Sequence, residues 1–199
     1  MRDDRRSPDV VWHLTPVSRQ QRERALGYTG ASLWLTGLPA SGKSVLAGEL
    51  ERRLVERGRP AYVLDGDNLR HGLSGDLGFD RAGREENVRR VAHVAAMLAD
   101  AGIVAVVSVV SPFAADREFA RGVHEREGLR FLEVFVDTPL EECERRDPKG
   151  LYARARAGAV RGLTGVDAPY EPPPAPEFVV RTLDEPLELA AERLIAQLP

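Results

Sequence analysis

Apolar residues along this chain fall into short unbroken runs that alternate with longer stretches of helical spacing. ASLWLT (31–36) suits a buried strand, and the glycine-bearing GLPASGKS (37–44) follows it at once. Over 44–58, Val45, Leu46, Leu50 and Leu54 lie near one face and Gly58 supplies a stop, which predicts a helix. AYVLD (61–65) predicts a second strand. Val88, Val91, Ala95 and Leu98 then repeat at helical spacing within 84–102, up to Gly102. IVAVVSVV (103–110) is apolar and β-branched almost throughout, the pattern of a parallel strand covered on both faces. Beyond it the pattern predicts a helix over 116–127, a strand over 130–137 and a helix over 139–147 opened by Pro139. A fifth strand (177–182) and an amphipathic helix (186–198) close the chain. The alternation predicts an α/β fold: a mostly parallel five-stranded sheet with helices on both faces. The stretch from Pro148 to Pro176 breaks the rhythm, being rich in Gly, Pro and Arg, with a short helix possible at 151–157. An irregular insertion of this length inside a compact domain is more often a lid than a packing device, and we place the lid at about 147–176. Residues 1–9 are charged and contain Pro8, so a disordered leader is expected there, with a single domain over 10–199.

Composition narrows the function classes. The 199 residues are room for one domain, and 43% hydrophobic with 30% charged residues is an ordinary globular balance. A net charge of -3 argues against a general nucleic-acid or anionic-membrane binder. A single cysteine, Cys143, excludes an internal disulfide framework and a cysteine-rich zinc site. No run approaches the roughly 18 apolar residues that a membrane span needs, and the N-terminus lacks a secretory signal's apolar core, so a cytoplasmic setting is expected. Of the 28 basic residues 26 are Arg; the two lysines are Lys43 and Lys149. A chain this biased toward Arg keeps Lys where a compact ammonium suits the site, or by chance of composition.

Gly37-Leu38-Pro39-Ala40-Ser41-Gly42-Lys43-Ser44 fits G-x-x-x-x-G-K-[ST] in full, after a strand and before a helix. Its glycines let backbone N–H groups wrap phosphate; Lys43 reaches the β/γ-phosphates and the Ser44 hydroxyl ligates Mg²⁺. This segment predicts a nucleoside triphosphate site. Asp65 and Asp67 end the second strand, where ligands collect in open parallel sheets. One could hold the metal through water and the other accept a proton from an attacking hydroxyl; alternatively they make a turn. Arg70, Phe79, Arg84 and Asn87 read in isolation as a solvated charged face. Ser111-Pro112 closes the strongest apolar run, either near the chemistry or as an ordinary strand stop. Arg145, Arg146, Lys149, Arg154, Arg156 and Arg161 face Asp147 alone within 145–163, a basic segment suited to closing over phosphate. His13, His71, His93 and His124 show no metal-ligand spacing and are assigned no role.

Together these segments resemble the adenylylsulfate kinases. The likeness begins at VVWH (10–13) and runs through WLTGLPASGKS, LDGDNLRHGL and the DLGF…REENVRRVAHVA block. It continues through VSPFAADRE, FLEVFVDTPLEECERRDPKGLY and ARAGAVRGLTGVDAPYEPP, covering roughly residues 10–182. The phosphate loop is shared by many enzymes; DGDNLRHGL and KGLYARARAG in this order are specific. The resemblance implies a P-loop kinase that phosphorylates the 3′-hydroxyl of adenosine 5′-phosphosulfate with ATP and Mg²⁺, acting in sulfate activation, and a homodimer. It implies that Gly37 to Ser44 hold ATP, that Asp65 and Asp67 lie near Mg²⁺ and the acceptor hydroxyl, and that Asp67, Asn68, Arg70, Arg84 and Asn87 hold the substrate. Phe79 matches an aromatic stacked on the substrate adenine, and Val110 and Ser111 match a substrate-lining strand end. Ser111 also matches a serine phosphorylated in bacterial members. Lys149 matches a substrate-contacting lysine, and Gly162 and Leu163 match the lid segment over the adenine. Leu163 departs from the usual Phe, which leaves one aromatic and one aliphatic face around the adenine. Pro39, Ala40 and Val45 are the other departures, and none removes a catalytic group. Two rivals are a P-loop kinase for a sugar or nucleoside hydroxyl, which leaves DGDNLRHGL unexplained, and a non-catalytic nucleotide-binding regulator, against which Lys43, Ser44, Asp65 and Asp67 count.

Overall fold

The computed structural model describes residues 9–11, 13 and 15–199, so the expected leader lies, apart from Asp9, outside the described residues. The elements run α1 (Arg19–Leu26), β1 (Ala31–Thr36), α2 (Lys43–Glu56), β2 (Ala61–Asp65), α3 (Gly66–Leu69), α4 (Arg81–Asp100), β3 (Val104–Ser108), α5 (Ala114–Arg126), β4 (Arg130–Val136), α6 (Leu140–Arg146), α7 (Leu151–Arg156), β5 (Phe178–Val180) and α8 (Leu187–Ile195). The strands form one sheet in the order β2-β3-β1-β4-β5, and every pairing is parallel. The expected five-stranded α/β sheet is therefore present, and it is wholly parallel.

Strand alternation sends successive side chains to opposite faces. Leu33, Leu35, Val104, Val106, Leu132 and Val134 turn to one face and pack with Leu46, Leu50 and Leu54 of α2 and Ala190, Ala191 and Leu194 of α8. Trp34, Ala105, Val107 and Phe131 turn to the other face, against Val88, Val91 and Ala95 of α4 and Ala120 and Val123 of α5. Each fully buried leucine contributes about 1.5–3 kcal/mol through the water it sheds. A third, smaller cluster joins Cys143 of α6 to Tyr152 and Leu163 of the segment expected to form the lid, with Leu38 of the phosphate loop packed against it.

Boundaries differ from the sequence pattern where side chains cap helices. Asp80 accepts from the Gly83 N–H at 2.8 Å and starts α4 three residues earlier than its apolar repeat. β3 stops at Ser108 and β5 is three residues long, both shorter than predicted. Helix α1 was not predicted, because RQQRERAL has no apolar stripe and buries no residue. A capping box between Ser18 and Gln21 opens it, and Arg19 and Arg22 fasten it to Asp100 of α4.

One core polar group has a pH consequence. His124 is fully buried; its Nδ1 lies 2.8 Å from Ala120 O and its Nε2 lies 2.8 Å from Ser32 Oγ. The carbonyl can only accept, so Nδ1 carries the proton and Nε2 accepts from the serine. Burial pushes His124 below its usual 6.5. Below that pH the unfolded chain takes up a proton that the folded chain refuses, so stability falls as pH drops from 6.5 toward the lowered folded value. Urea midpoints measured from about pH 7 to pH 5 should decline, and His124→Gln should flatten the decline; an identical slope in the variant would assign it to other groups.

Candidate active site

Parallel register brings the chemistry together. Ser108 of β3 lies level with Leu35 of β1 and Asp65 of β2, so three carboxyl ends open on the turn that follows β1. That turn is the phosphate loop. Gly37 has φ +153°, and a Cβ there would sit 2.6 Å from Val136 O, so backbone approaches backbone too closely for any side chain. Gly42, at φ +106°, precedes α2 and leaves the helix N-terminus open to an anion.

Lys43 is buried at the base of this loop. Its Nζ donates to Gly37 O at 3.0 Å, to Leu38 O at 2.7 Å and to Ser41 Oγ at 3.3 Å. Burial lowers its pKa to about 8, with Cys143, Asp65 and Asp67 acting weakly in the other direction. The loop thus satisfies a buried ammonium with its own oxygens, acceptors whose place phosphate oxygens would take.

Beside it, Ser44 Oγ donates to Asp65 Oδ2 at 2.7 Å and lies 3.3 Å from Ser108 Oγ. Asp65 Oδ1 accepts from the Asp67 N–H at 3.0 Å and so caps α3. Two hydroxyls and a carboxylate fit magnesium, which takes hard oxygen donors alongside phosphate oxygens. Asp67, exposed, is in contact with Lys149 Nζ, which reaches it from the lid.

The far side of the site is cationic and aromatic. The Arg70 guanidinium lies 4.2 Å from the Phe79 ring centre, and its Nη1 donates to Leu77 O and Gly78 O. Arg84 donates to Phe79 O at 2.7 Å and, across to the lid, to Thr164 Oγ1 and Gly162 O, each at 2.5 Å. Burial lowers the pKa of both arginines from their usual value. Asn87 is buried, and its Oδ1 has no hydrogen-bond partner among the described residues.

All of this surrounds one cleft of about 1210 Å³, ample for two nucleotides. Its walls include Pro39, Ala40, Gly42, Lys43, Ser44, Asp65, Asp67, Asn68, Arg70, Phe79, Arg84, Asn87, Val110, Ser111, Lys149 and Leu163. Gly37, Leu38, Ser41 and Gly162 do not line it; the first three belong to the phosphate loop itself, and Gly162 O accepts from Arg84.

The sequence model of the adenylylsulphate kinase family matches residues 29–181. This chain belongs to the adenylylsulphate kinase family. It is 47% identical to an adenylyl-sulfate kinase of Clostridium acetobutylicum over 196 residues, covering 98% of this chain and 96% of that protein. With an adenylyl-sulfate kinase of Klebsiella pneumoniae the identity is 55% over 171 residues, 85% of this chain and 84% of the relative. Among solved structures it is similar to the APS kinase of Mycobacterium tuberculosis in complex with AMPPNP and APS. That match has a TM-score of 0.83 and 52% identity, and covers 85% of this chain and 97% of the other.

Sequence reasoning missed several groups in this member of the kinase family. Ser108 is buried beside Ser44, and its signal was slight: one hydroxyl in an apolar run. Arg146, read as one of many lid cations, donates to Ser41 O at 3.3 Å and Thr182 Oγ1 at 3.0 Å, both bordering the phosphate loop. Tyr152 donates to Pro39 O at 3.0 Å and ties the lid to the same loop. Leu163 borders the cleft, as the resemblance implies for the segment over the adenine. It is 8% exposed and also packs in the cluster with Cys143 and Tyr152.

A phenylalanine at Leu163 would have to enlarge that cluster. Leu163→Phe should destabilise the protein by about 1–3 kcal/mol and lower the Tm by a few degrees. An unchanged or raised Tm would mean that the ring finds room in the cleft.

Proposed function

We propose that this chain transfers the γ-phosphoryl of ATP to the 3′-hydroxyl of adenosine 5′-phosphosulfate, giving 3′-phosphoadenosine 5′-phosphosulfate and ADP in sulfate activation. The observation that carries the reading is a single cleft with a phosphate loop at one end, an arginine–aromatic pocket at the other, and Asp65, Asp67 and Lys149 between them. Two nucleotides sharing one cleft is what transfer between them requires.

At the ATP end, Lys43 and the backbone N–H groups of 37–44 bind the β- and γ-phosphates and take up the charge that develops on transfer. Ser44 and Asp65, with Ser108 beside them, would hold Mg²⁺, which when bound neutralises phosphate charge. At the acceptor end, Phe79 offers its exposed ring to the adenine, and Asn87 Oδ1 is an unspent acceptor for an exocyclic amino group. Asn68, Arg70 and Arg84 supply polar and cationic contacts for the phosphosulfate-bearing nucleotide, with Val110 and Ser111 as the neighbouring wall. Asp67 accepts the proton of the attacking hydroxyl, and Lys149 keeps a cation against it. The lid, through Gly162 and Leu163, closes the acceptor end and excludes water, a competing acceptor. Ser111 is buried and its hydroxyl accepts from the Trp34 indole, which favours direct transfer over a phosphoserine intermediate. A homodimer, expected from the family resemblance, and a cytoplasmic setting, expected from the lack of a membrane run or secretory signal in the sequence, complete the proposal. No helix of the described residues is long and apolar enough to cross a membrane.

Coupled ADP release with a panel of acceptors tests the reading. Turnover of adenylylsulfate with magnesium, and none of shikimate or gluconate, is expected; the reverse, or no release with any acceptor, would refute it. Lys43→Ala should reduce turnover by orders of magnitude in a folded protein. Asp67→Asn keeps the shape but cannot take a proton, so kcat should fall with little change in KM. Near-normal kcat would move the base role to Asp65 or to solvent. Ser111→Ala should cause a modest loss and no labelled enzyme should be trapped, whereas an obligatory phosphoserine predicts near-complete loss.

A further inference from the structure

Ser111 holds its backbone at φ +38°, in the left-handed region where a residue bearing a Cβ is strained. Such a conformation persists only where the surroundings over-determine it. Here three side chains do so. Thr36 Oγ1 donates to Val110 O at 2.7 Å, and Trp34 Nε1 donates to Ser111 Oγ at 3.1 Å. The third is Arg117, in the first turn of α5, whose Nη1 donates to Ser111 O at 2.8 Å.

We propose that Arg117 is a positioning residue for the acceptor half of the cleft, acting through Ser111. The proposal rests on the reading of Ser111 as substrate-lining. Arg117 is 3% exposed, and a guanidinium is costly to bury unless paired. Its Nε donates to Glu133 Oε1 at 2.7 Å, which supplies the pairing charge. An ion pair needs no more than that. Yet the remaining edge of the fork goes to two backbone carbonyls from two separate segments: Ser111 in the turn that follows β3, and Glu171, where the chain returns from the 147–176 segment, at 2.7 Å.

The same returning segment is fastened to the same turn by other bonds. The Glu171 N–H donates to Pro112 O at 2.8 Å, and Glu171 Oε2 accepts from the Ala114 N–H at 2.7 Å. Tyr170 OH lies 3.0 Å from Thr36 Oγ1. Arg117 is therefore the charged centre of a unit that joins β1, the substrate-lining turn and the lid's exit. A planar fork can serve three acceptors held at fixed angles, whereas a lysine ammonium in the same place cannot reproduce that geometry. The Ser111 hydroxyl, held by the indole as an acceptor, retains its own proton to donate into the cleft.

Two variants test this. Arg117→Lys keeps the charge opposite Glu133 but loses the fork; Arg117→Met with Glu133→Gln removes both buried charges together, which spares the fold an unpaired ion. In each, KM for adenylylsulfate should rise about tenfold, or about 1.4 kcal/mol. The dissociation constant for ATP, held at the other end, should stay unchanged. Adding Ser111→Ala to either variant should cost much less than Ser111→Ala does in the parent chain, because the serine is already displaced. Normal KM and kcat with a lowered Tm would overturn the proposal, as would ATP binding that weakens in parallel. If Ser111→Ala impairs the parent chain while both Arg117 variants turn over normally, this proposal falls and the reading of Ser111 stands. If Ser111→Ala has no effect on KM or kcat, both fall.

Discussion

A buried ammonium must be matched by oxygens at every stage of a binding cycle, and Lys43 imposes that constraint on the whole site. Its charge sits at the base of a loop whose carbonyls Gly37 O and Leu38 O and hydroxyl Ser41 Oγ now accept from it. The cost of burial shows in its lowered pKa, to about 8. Phosphate oxygens offer the ammonium stronger acceptors than neutral carbonyls do. The loop can hold this poised arrangement because Gly37 lets it press against Val136 O and because the strand beneath it is fully buried.

The other parts of the site are arranged around that loop. Parallel pairing sets Asp65 and Ser108 level with the end of β1, which delivers metal-suited oxygens next to Ser44. The lid is tied to the loop from above: Tyr152 donates to Pro39 O, Leu38 packs into the lid cluster, and Arg146 donates to Ser41 O. Lys149 and Arg84 carry the same connection to the acceptor side, through Asp67 and through Gly162 and Thr164. Nucleotide at one end of the cleft and lid contacts at the other therefore share a small set of side chains, an arrangement suited to closing when both substrates are present.

Much of this was legible in the sequence, for identifiable reasons. β1 and β2 were bounded correctly because each is a compact apolar run ended by residues that cannot continue it. The phosphate loop was legible because its glycines are demanded by backbone geometry. Helix α1 was not, since its stability comes from a capping box and two arginines gripping Asp100, neither of which leaves an apolar period. Ser108 was hidden in an apolar strand; only register reveals that its hydroxyl faces Ser44. Leu163 lines the cleft as well as packing with Cys143 and Tyr152, a double contact that sequence spacing does not reveal. Arg117 gave no signal at all, because its partners are Glu133 and two backbone carbonyls spread over sixty residues of chain.

The exchange of loop oxygens for phosphate at Lys43 is the centre of the account, and proton linkage measures it directly. Burial lowers the Lys43 pKa to about 8, so the free protein holds this proton less firmly than an exposed lysine does. Bound phosphate favours the charged form, so ATP with magnesium should draw in protons around and above that pH. Calorimetric titration in buffers of different ionisation enthalpy reads this uptake. Net uptake that grows as pH rises through about 8 and fades toward lower pH is the predicted result. No uptake across this range, or proton release, would contradict it.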